Sequence, residues 1–210
     1  MNQRDAQKLG TRRSLSAAAI RLFTQRGYDA TRAGDIAAEV GVSERTFFLH
    51  FPTKDRSVFP DHLERVEALR ALLAAAPGDA DPFDTVAEQV RLGILATVDS
   101  PVRAQRYRLI NEVTALRHRD VINDLDYEAV FAQFFTDRWA GPPLSTSHLS
   151  TSTLPIHFRA HALAATALST ARAALTTWAS DATFDPAAST AAALSELRPW
   201  PNPRKDSGRS

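Results

Sequence analysis

The sequence predicts an all-α protein of about nine helices. Three observations carry that expectation. Strand-like alternation is nearly absent, while alanine, leucine and arginine dominate. Apolar residues recur three and four positions apart, the period of a helix with one buried face. Glycine, proline and Ser/Thr/Asp residues stand where such segments should stop and start. With 210 residues and 44% hydrophobic content, there is enough chain to bury a core, as one large domain or two small ones.

The first helix is expected over Thr11 to Arg26, with Leu15, Ala18, Ala19, Leu22 and Phe23 on one stripe. Gly27 supplies the left-handed stop, and Tyr28 follows where a closing contact onto Phe23 belongs. Thr31 is read as the N-cap of a short helix from Arg32 to Val40, with Ile36, Ala37 and Val40 inward. Gly41 ends that helix, Ser43 caps a third over Glu44 to Phe51, and Pro52 stops it. Thr53 is positioned to cap a longer fourth helix, Lys54 to Ala75. A Pro77-Gly78-Asp79 break precedes helices over Pro82 to Thr97, Pro101 to Arg117 and Asp120 to Trp139. The Pro/Ser/Thr-rich stretch from Gly141 to Pro155 reads as a surface loop. A long helix follows from Ile156 to Ser180, then a last one from Pro186 to about Leu197 behind Asp185. The tail from Pro199 to Ser210 has the composition of a disordered segment. No internal repeat is evident.

Charge is distributed unevenly. Residues 1–56 hold ten Lys or Arg against six Asp or Glu, while the remainder holds fifteen against eighteen, for a net charge of +1. A basic N-terminal third on a slightly acidic body suggests that one end meets a polyanion. The absence of cysteine excludes disulfides, thiolate catalysis and Cys-ligated metals. The polar start lacks a signal core, and no apolar run is long enough for a bilayer, so the expected location is the cytoplasm.

Residues 32–51 pack helix, glycine turn and helix into a short span, the helix-turn-helix arrangement. Ala37 must be small where the second helix crosses, Gly41 needs a positive φ, and Val42 fills the angle. Phe47 and Phe51, four apart, pin the second helix to the core. Glu44, Arg45, Thr46, Leu49 and His50 are then left to face outward, as types suited to base edges and phosphates.

The stretch from Arg12 to Phe59 resembles the DNA-binding domain of the TetR family of bacterial transcription regulators. The likeness is carried by Leu22 to Thr31 ("LFTQRGYDAT"), Ile36 to Ser43 ("IAAEVGVS") and Phe51 to Lys54 ("FPTK"). The ERTFF spelling at Glu44 to Phe48 is similar to an actinobacterial subgroup. The resemblance implies a homodimer reading a palindromic double-stranded DNA operator, and a small-molecule effector that releases it. Residues 1–53 would form the DNA-binding domain, 54–198 the helical effector-binding and dimerisation domain, and 199–210 the tail. Arg45 and Thr46 would lie nearest base edges, with Phe48 and Leu49 on methyl groups and sugar-phosphate. His50 and Lys54 would meet phosphates, as would Thr31 and Arg32 at the start of the preceding helix. Ser43 completes the DNA-binding set. Two positions depart from the family pattern. Arg45 replaces a common glycine and offers a bidentate donor for guanine. Phe48 replaces a common tyrosine and cannot donate to a phosphate.

In the body, Leu92, Leu95, Tyr107, Ile110, Val113, Phe131, Phe134, Phe135 and Trp139 are candidate linings of an apolar pocket, set against ordinary core packing. Arg103, Arg106 and Arg108 could receive an acidic ligand group or lie on a solvated face. Ala164, Leu168, Ala171, Leu175 and Trp178, three or four apart, suit a helical dimer seam or intrachain packing. His157 and His161 have ligand spacing but no evident third partner, so no metal or other cofactor is expected. No nucleophile set, phosphate-binding glycine loop or paired carboxylates appear, so the chain does not read as an enzyme. The alternatives are a helical binding protein or enzyme with an incidental helix-turn-helix, or an activator in place of a repressor.

Overall fold

The computed structural model describes residues 3–140 and 154–198; the expected loop from Gly141 to Pro155, all but its last two residues, and the tail at 199–210 lie outside them. Among the described residues there are nine α-helices and no strand: α1 (Gln3–Arg26), α2 (Ala33–Val40), α3 (Glu44–His50), α4 (His62–Ala74), α5 (Pro82–Val98), α6 (Pro101–Glu112), α7 (Thr114–Ala140), α8 (Ile156–Ser180) and α9 (Pro186–Glu196). A 3₁₀ turn, Lys54–Val58, lies between α3 and α4.

The local punctuation explains most of these ends. Gly27 and Gly41 adopt φ of 85° and 76°, the left-handed region that ends a helix cheaply only with glycine. The Gly41 and Val42 amides donate back to the Ala38 and Ala37 carbonyls at 3.1 and 3.0 Å. The Ser43 hydroxyl accepts from the Thr46 amide at 3.1 Å, and Ser100 and Asp185 cap α6 and α9 ahead of their first-turn prolines. Thr31 departs from its expected role. Its hydroxyl donates back to the Gly27 carbonyl at 2.8 Å, and the N-cap of α2 is Arg32, whose amide donates to the Asp35 carboxylate at 2.8 Å.

Three helix boundaries differ from the sequence expectation. α1 begins eight residues earlier, at Gln3. The expected helix from Lys54 to Ala75 is two elements, because Pro60 has no amide to donate and its ring restricts Phe59. The α6–α7 break falls at Val113, with extended φ/ψ of −104° and 113°, and α7 runs unbroken through Arg117 to Asp120.

The chain divides into two compact units, one drawn from Met1–Ala68 and Thr97–Tyr127, the other from Leu69–Ala96 and Glu128–Ser210. In the first, α1 packs on α2, the 3₁₀ turn and α6, and α2 packs on α3. Its core gathers Leu15, Ala18, Leu22 and Phe23 of α1, Ile36 and Ala37 of α2, and Phe47 and Phe51, with Leu109, Ile110 and Leu116 closing it. This unit thus joins the N-terminal helices to residues 97–127. Tyr28 meets Phe23 edge-on at 5.0 Å, the expected closing contact.

In the second unit α8 packs on α9. α8 buries Ala160, Ala164, Ala167, Ala174 and Trp178, and α9 buries Ala187, Thr190 and Leu194. Small side chains let these two backbones approach closely. Phe131, Phe134 and Phe135 of α7 are buried, and Phe135 stacks on Trp139 at 5.1 Å. Arg138 lies over Phe134 and donates to the Ala76 carbonyl at 2.7 Å.

Candidate nucleic-acid interface

The site is a short helix held from beneath and open above. Phe47 and Phe51 are wholly buried, with ring centres 5.8 Å apart, so the underside of α3 is fixed in the core of the first unit. Burying each phenyl ring contributes roughly 2 kcal/mol, ample to fix a two-turn helix that would not persist alone. The opposite face is open. Glu44 and Arg45 are exposed, as are Phe48 (47%) and Leu49 (72%), while Thr46 is half-buried and shares a 2.8 Å hydrogen bond with Ser43. Phe48 rests edge-on against Phe47 at 5.4 Å, which limits where its ring can go. Arg32 is exposed at the start of α2.

Three of the expected phosphate ligands are engaged internally. Thr31 is buried and bonded to the α1 end. The Lys54 ammonium donates to the Tyr28 and Thr31 carbonyls at 2.6 and 2.9 Å and sits over the Tyr28 ring. His50 is buried, because it shares the anchored side of α3 with Phe47 and Phe51, and its Nδ1 lacks a hydrogen-bond partner. Burial holds the His50 imidazole below its usual pKa, and the Arg12 and Lys8 charges add to the effect.

Arg12 was not legible as part of this site. From α1 it donates to the His50 carbonyl at 3.0 Å and to the Pro60 carbonyl at 2.7 Å, with its guanidinium 4.8 Å from the Phe51 ring centre. One side chain thus holds the last carbonyl of α3 and the chain just ahead of α4. A second ionic cluster surrounds the same segment. Arg106 is buried and bonds the Asp61 carboxylate at 3.1 Å, with Arg103 at 3.6 Å. Burial alone would raise the Asp61 pKa, but Arg106, Arg65 and Arg103 outweigh it and hold it below the carboxylate range. Arg106 therefore neither lies on a solvated face nor stands open to an acidic ligand. His62 meets Asp126 at 2.7 Å and the Tyr127 ring edge-on.

The remaining candidates are dispersed. Of the pocket set, Tyr107, Ile110 and Val113 lie in the first unit. Ile110 belongs to the core of that unit and Val113 packs against it. Leu92, Leu95, Phe131, Phe134, Phe135 and Trp139 lie in the second unit, where Leu92 is 44% exposed. Of the seam set, Ala164 and Trp178 are buried by this chain's own packing, whereas Leu168, Ala171 and Leu175 are half-buried. His161 pairs with Glu128 at 3.4 Å and His157 is exposed; among the described residues no three His, Asp or Glu side chains gather as a metal site. No helix among them is long and apolar enough to cross a membrane.

The family model described as "Bacterial regulatory proteins, tetR family" matches residues 15–56, the segment that builds α2, α3 and their support. The HTH-type transcriptional regulator TcmR of Streptomyces glaucescens is 33% identical over 113 residues, and the match spans about half of each chain. The structure is similar to NalD of Pseudomonas aeruginosa, the secondary repressor of the MexAB-OprM multidrug efflux pump (18% identity, 92% of this chain, 100% of that chain, TM-score 0.59). It is also similar to FadR of Bacillus subtilis in complex with stearoyl-CoA (15% identity, 88% of this chain, 96% of that chain, TM-score 0.60). At these identities the two structures show a shared fold.

Proposed function

We infer that this chain, whose N-terminal region belongs to the TetR family of bacterial regulatory proteins, is a DNA-binding transcription regulator that acts as an effector-released repressor. The observation that carries the reading is the division of α3, with Phe47 and Phe51 wholly buried and Arg45, Phe48 and Leu49 exposed. A helix anchored this firmly, with a guanidinium, a methyl-contacting leucine and a ring on its free face, is built to enter a major groove. Arg45 supplies the base-specific donor, Thr46 the neighbouring contact, and Arg32 a phosphate contact.

Two copies would read a palindromic operator, with half-sites roughly 34–36 Å apart. Leu168, Ala171 and Leu175 on α8 are the seam positions left with accessible surface. The effector is a small, largely apolar molecule held in the second unit near Phe131, Phe134 and Trp139. NalD and FadR, the latter with a bound acyl-CoA, support a ligand-responsive repressor on this fold. The effector works by preferring a conformation whose two heads no longer match successive grooves.

The test is selection of duplexes from a random-sequence library by the full-length chain, followed by binding titration with Arg45→Ala. An enriched palindrome is expected. Arg45→Ala should lose about 1–3 kcal/mol on it and relax preference at one base pair per half-site, without a change in melting temperature. Failure of the wild type to enrich any sequence would sink the reading.

A further inference from the structure

Arg4, Lys8 and Arg12 stand at successive four-residue steps along α1 and so share one face of that helix. Their environments differ. Arg12 is half-buried and committed to the carbonyls of His50 and Pro60. Arg4 and Lys8 are exposed, and among the described residues neither has an ion-pair partner. The stripe is anchored at one end, since Arg12 ties it to the last carbonyl of α3. At a rise of about 1.5 Å per residue, Lys8 sits about 6 Å and Arg4 about 12 Å along the helix from that anchor. Lys8 is close enough to α3 for its charge to act on His50.

We propose that Arg4 and Lys8 form a second DNA contact, gripping backbone phosphates that flank the groove segment read by α3. This rests on the DNA-binding reading above and extends it. The occupant is specified by charge and by continuity. The patch is cationic, and Arg12 ties the helix that bears it to the last carbonyl of α3. Phosphates follow one another about every 3.4 Å of duplex axis along a strand, so a stripe of this length faces several in succession. Two arginine or lysine contacts of this kind add affinity and set register without adding sequence preference. Arg12 is the internal anchor of the stripe, which makes it a positioning residue for α3.

The experiment uses the full-length chain, the duplex enriched by the wild type, and an unrelated duplex of equal length. Binding is titrated from 50 to 300 mM NaCl, roughly the range over which counterion release dominates. For Arg4→Ala/Lys8→Ala, affinity should fall about tenfold or more near 150 mM salt. The slope of log K against log salt should become shallower by about 1.8 per bound head, and both duplexes should lose affinity alike. Arg4→Lys/Lys8→Arg should keep the wild-type slope. Arg12→Met should lose affinity for the enriched duplex while retaining most of its binding to the unrelated one. Circular dichroism melting should be unchanged for Arg4→Ala/Lys8→Ala, since both residues are exposed. An unchanged salt slope in that variant overturns the contact, and a loss confined to the enriched duplex overturns its assignment to phosphate. A wild-type chain that enriches nothing and binds neither duplex overturns the DNA-binding reading and this proposal with it. Enrichment with an unchanged slope overturns this proposal alone.

Discussion

The ammonium of Lys54 lies 3.9 Å from the centre of the Tyr28 ring and donates to the Tyr28 carbonyl at 2.6 Å. With its bond to the Thr31 carbonyl, this lysine closes the turn between α1 and α2. Burial lowers its pKa, with Asp29 opposing the shift. Lys54→Met should therefore cost about 1–2 kcal/mol in urea denaturation of the full chain, because two carbonyls lose a charged donor. Unaltered stability, with a salt slope for DNA binding reduced by about one, would return Lys54 to the role of phosphate ligand.

His50 gives the first unit a pH dependence. Its folded pKa lies below 6.5, through burial first and then the Arg12 and Lys8 charges. Between the folded value and 6.5 the unfolded chain binds more protons, so stability rises with pH there and is lost on acidification. Protonation would set a third positive charge beside two existing ones. His50→Gln should flatten the stability profile below pH 6.5 relative to wild type, in parallel denaturation series at fixed ionic strength. A variant profile that tracks the wild type would assign the dependence to other groups.

Asp61 should act in the same direction at lower pH. Its folded pKa lies below 3.8, so the stability it contributes is present above 3.8 and is lost as pH falls through the folded value. Asp61→Asn leaves Arg106 buried beside Arg65 and Arg103 without its carboxylate. The expected cost is about 2 kcal/mol, below that of a fully buried pair because Asp61 is 37% exposed to screening solvent. Thermal melting at pH 7 measures it, and a change under 0.5 kcal/mol would mean that solvent already satisfies Arg106.

What could be read from the sequence was the chemistry of short range. Gly27, Gly41, Ser43, Pro101 and Asp185 act on backbone within a few residues, and each does in the structure what its type dictates. Pro60 carried an equally local signal, which the longer apolar pattern on either side concealed. His50 shows a subtler loss. Its spacing of three from Phe47 already placed it on the anchored side of α3, against its polar character. The break at Val113 has no comparable local cause. The roles of Arg12, Ile110 and Arg106 depend on partners 38 to 48 residues away for the two arginines and on the whole α1 stripe for Ile110, which no local pattern encodes.

Leu109, Ile110 and Leu116 close the core around Leu15, Phe23 and Phe47, although they lie about sixty residues beyond α3 in the chain. The segment proposed to read DNA therefore shares its core with α6 and α7. A fragment ending at Thr53 would leave Ile36, Phe47 and Phe51 facing water where those three side chains belong. Fusing residues 1–53 to a foreign sensor would carry over the letters of α3 without its foundation. Altering the proposed DNA specificity calls for exchanging the outward residues of α3 in place, on a scaffold kept whole.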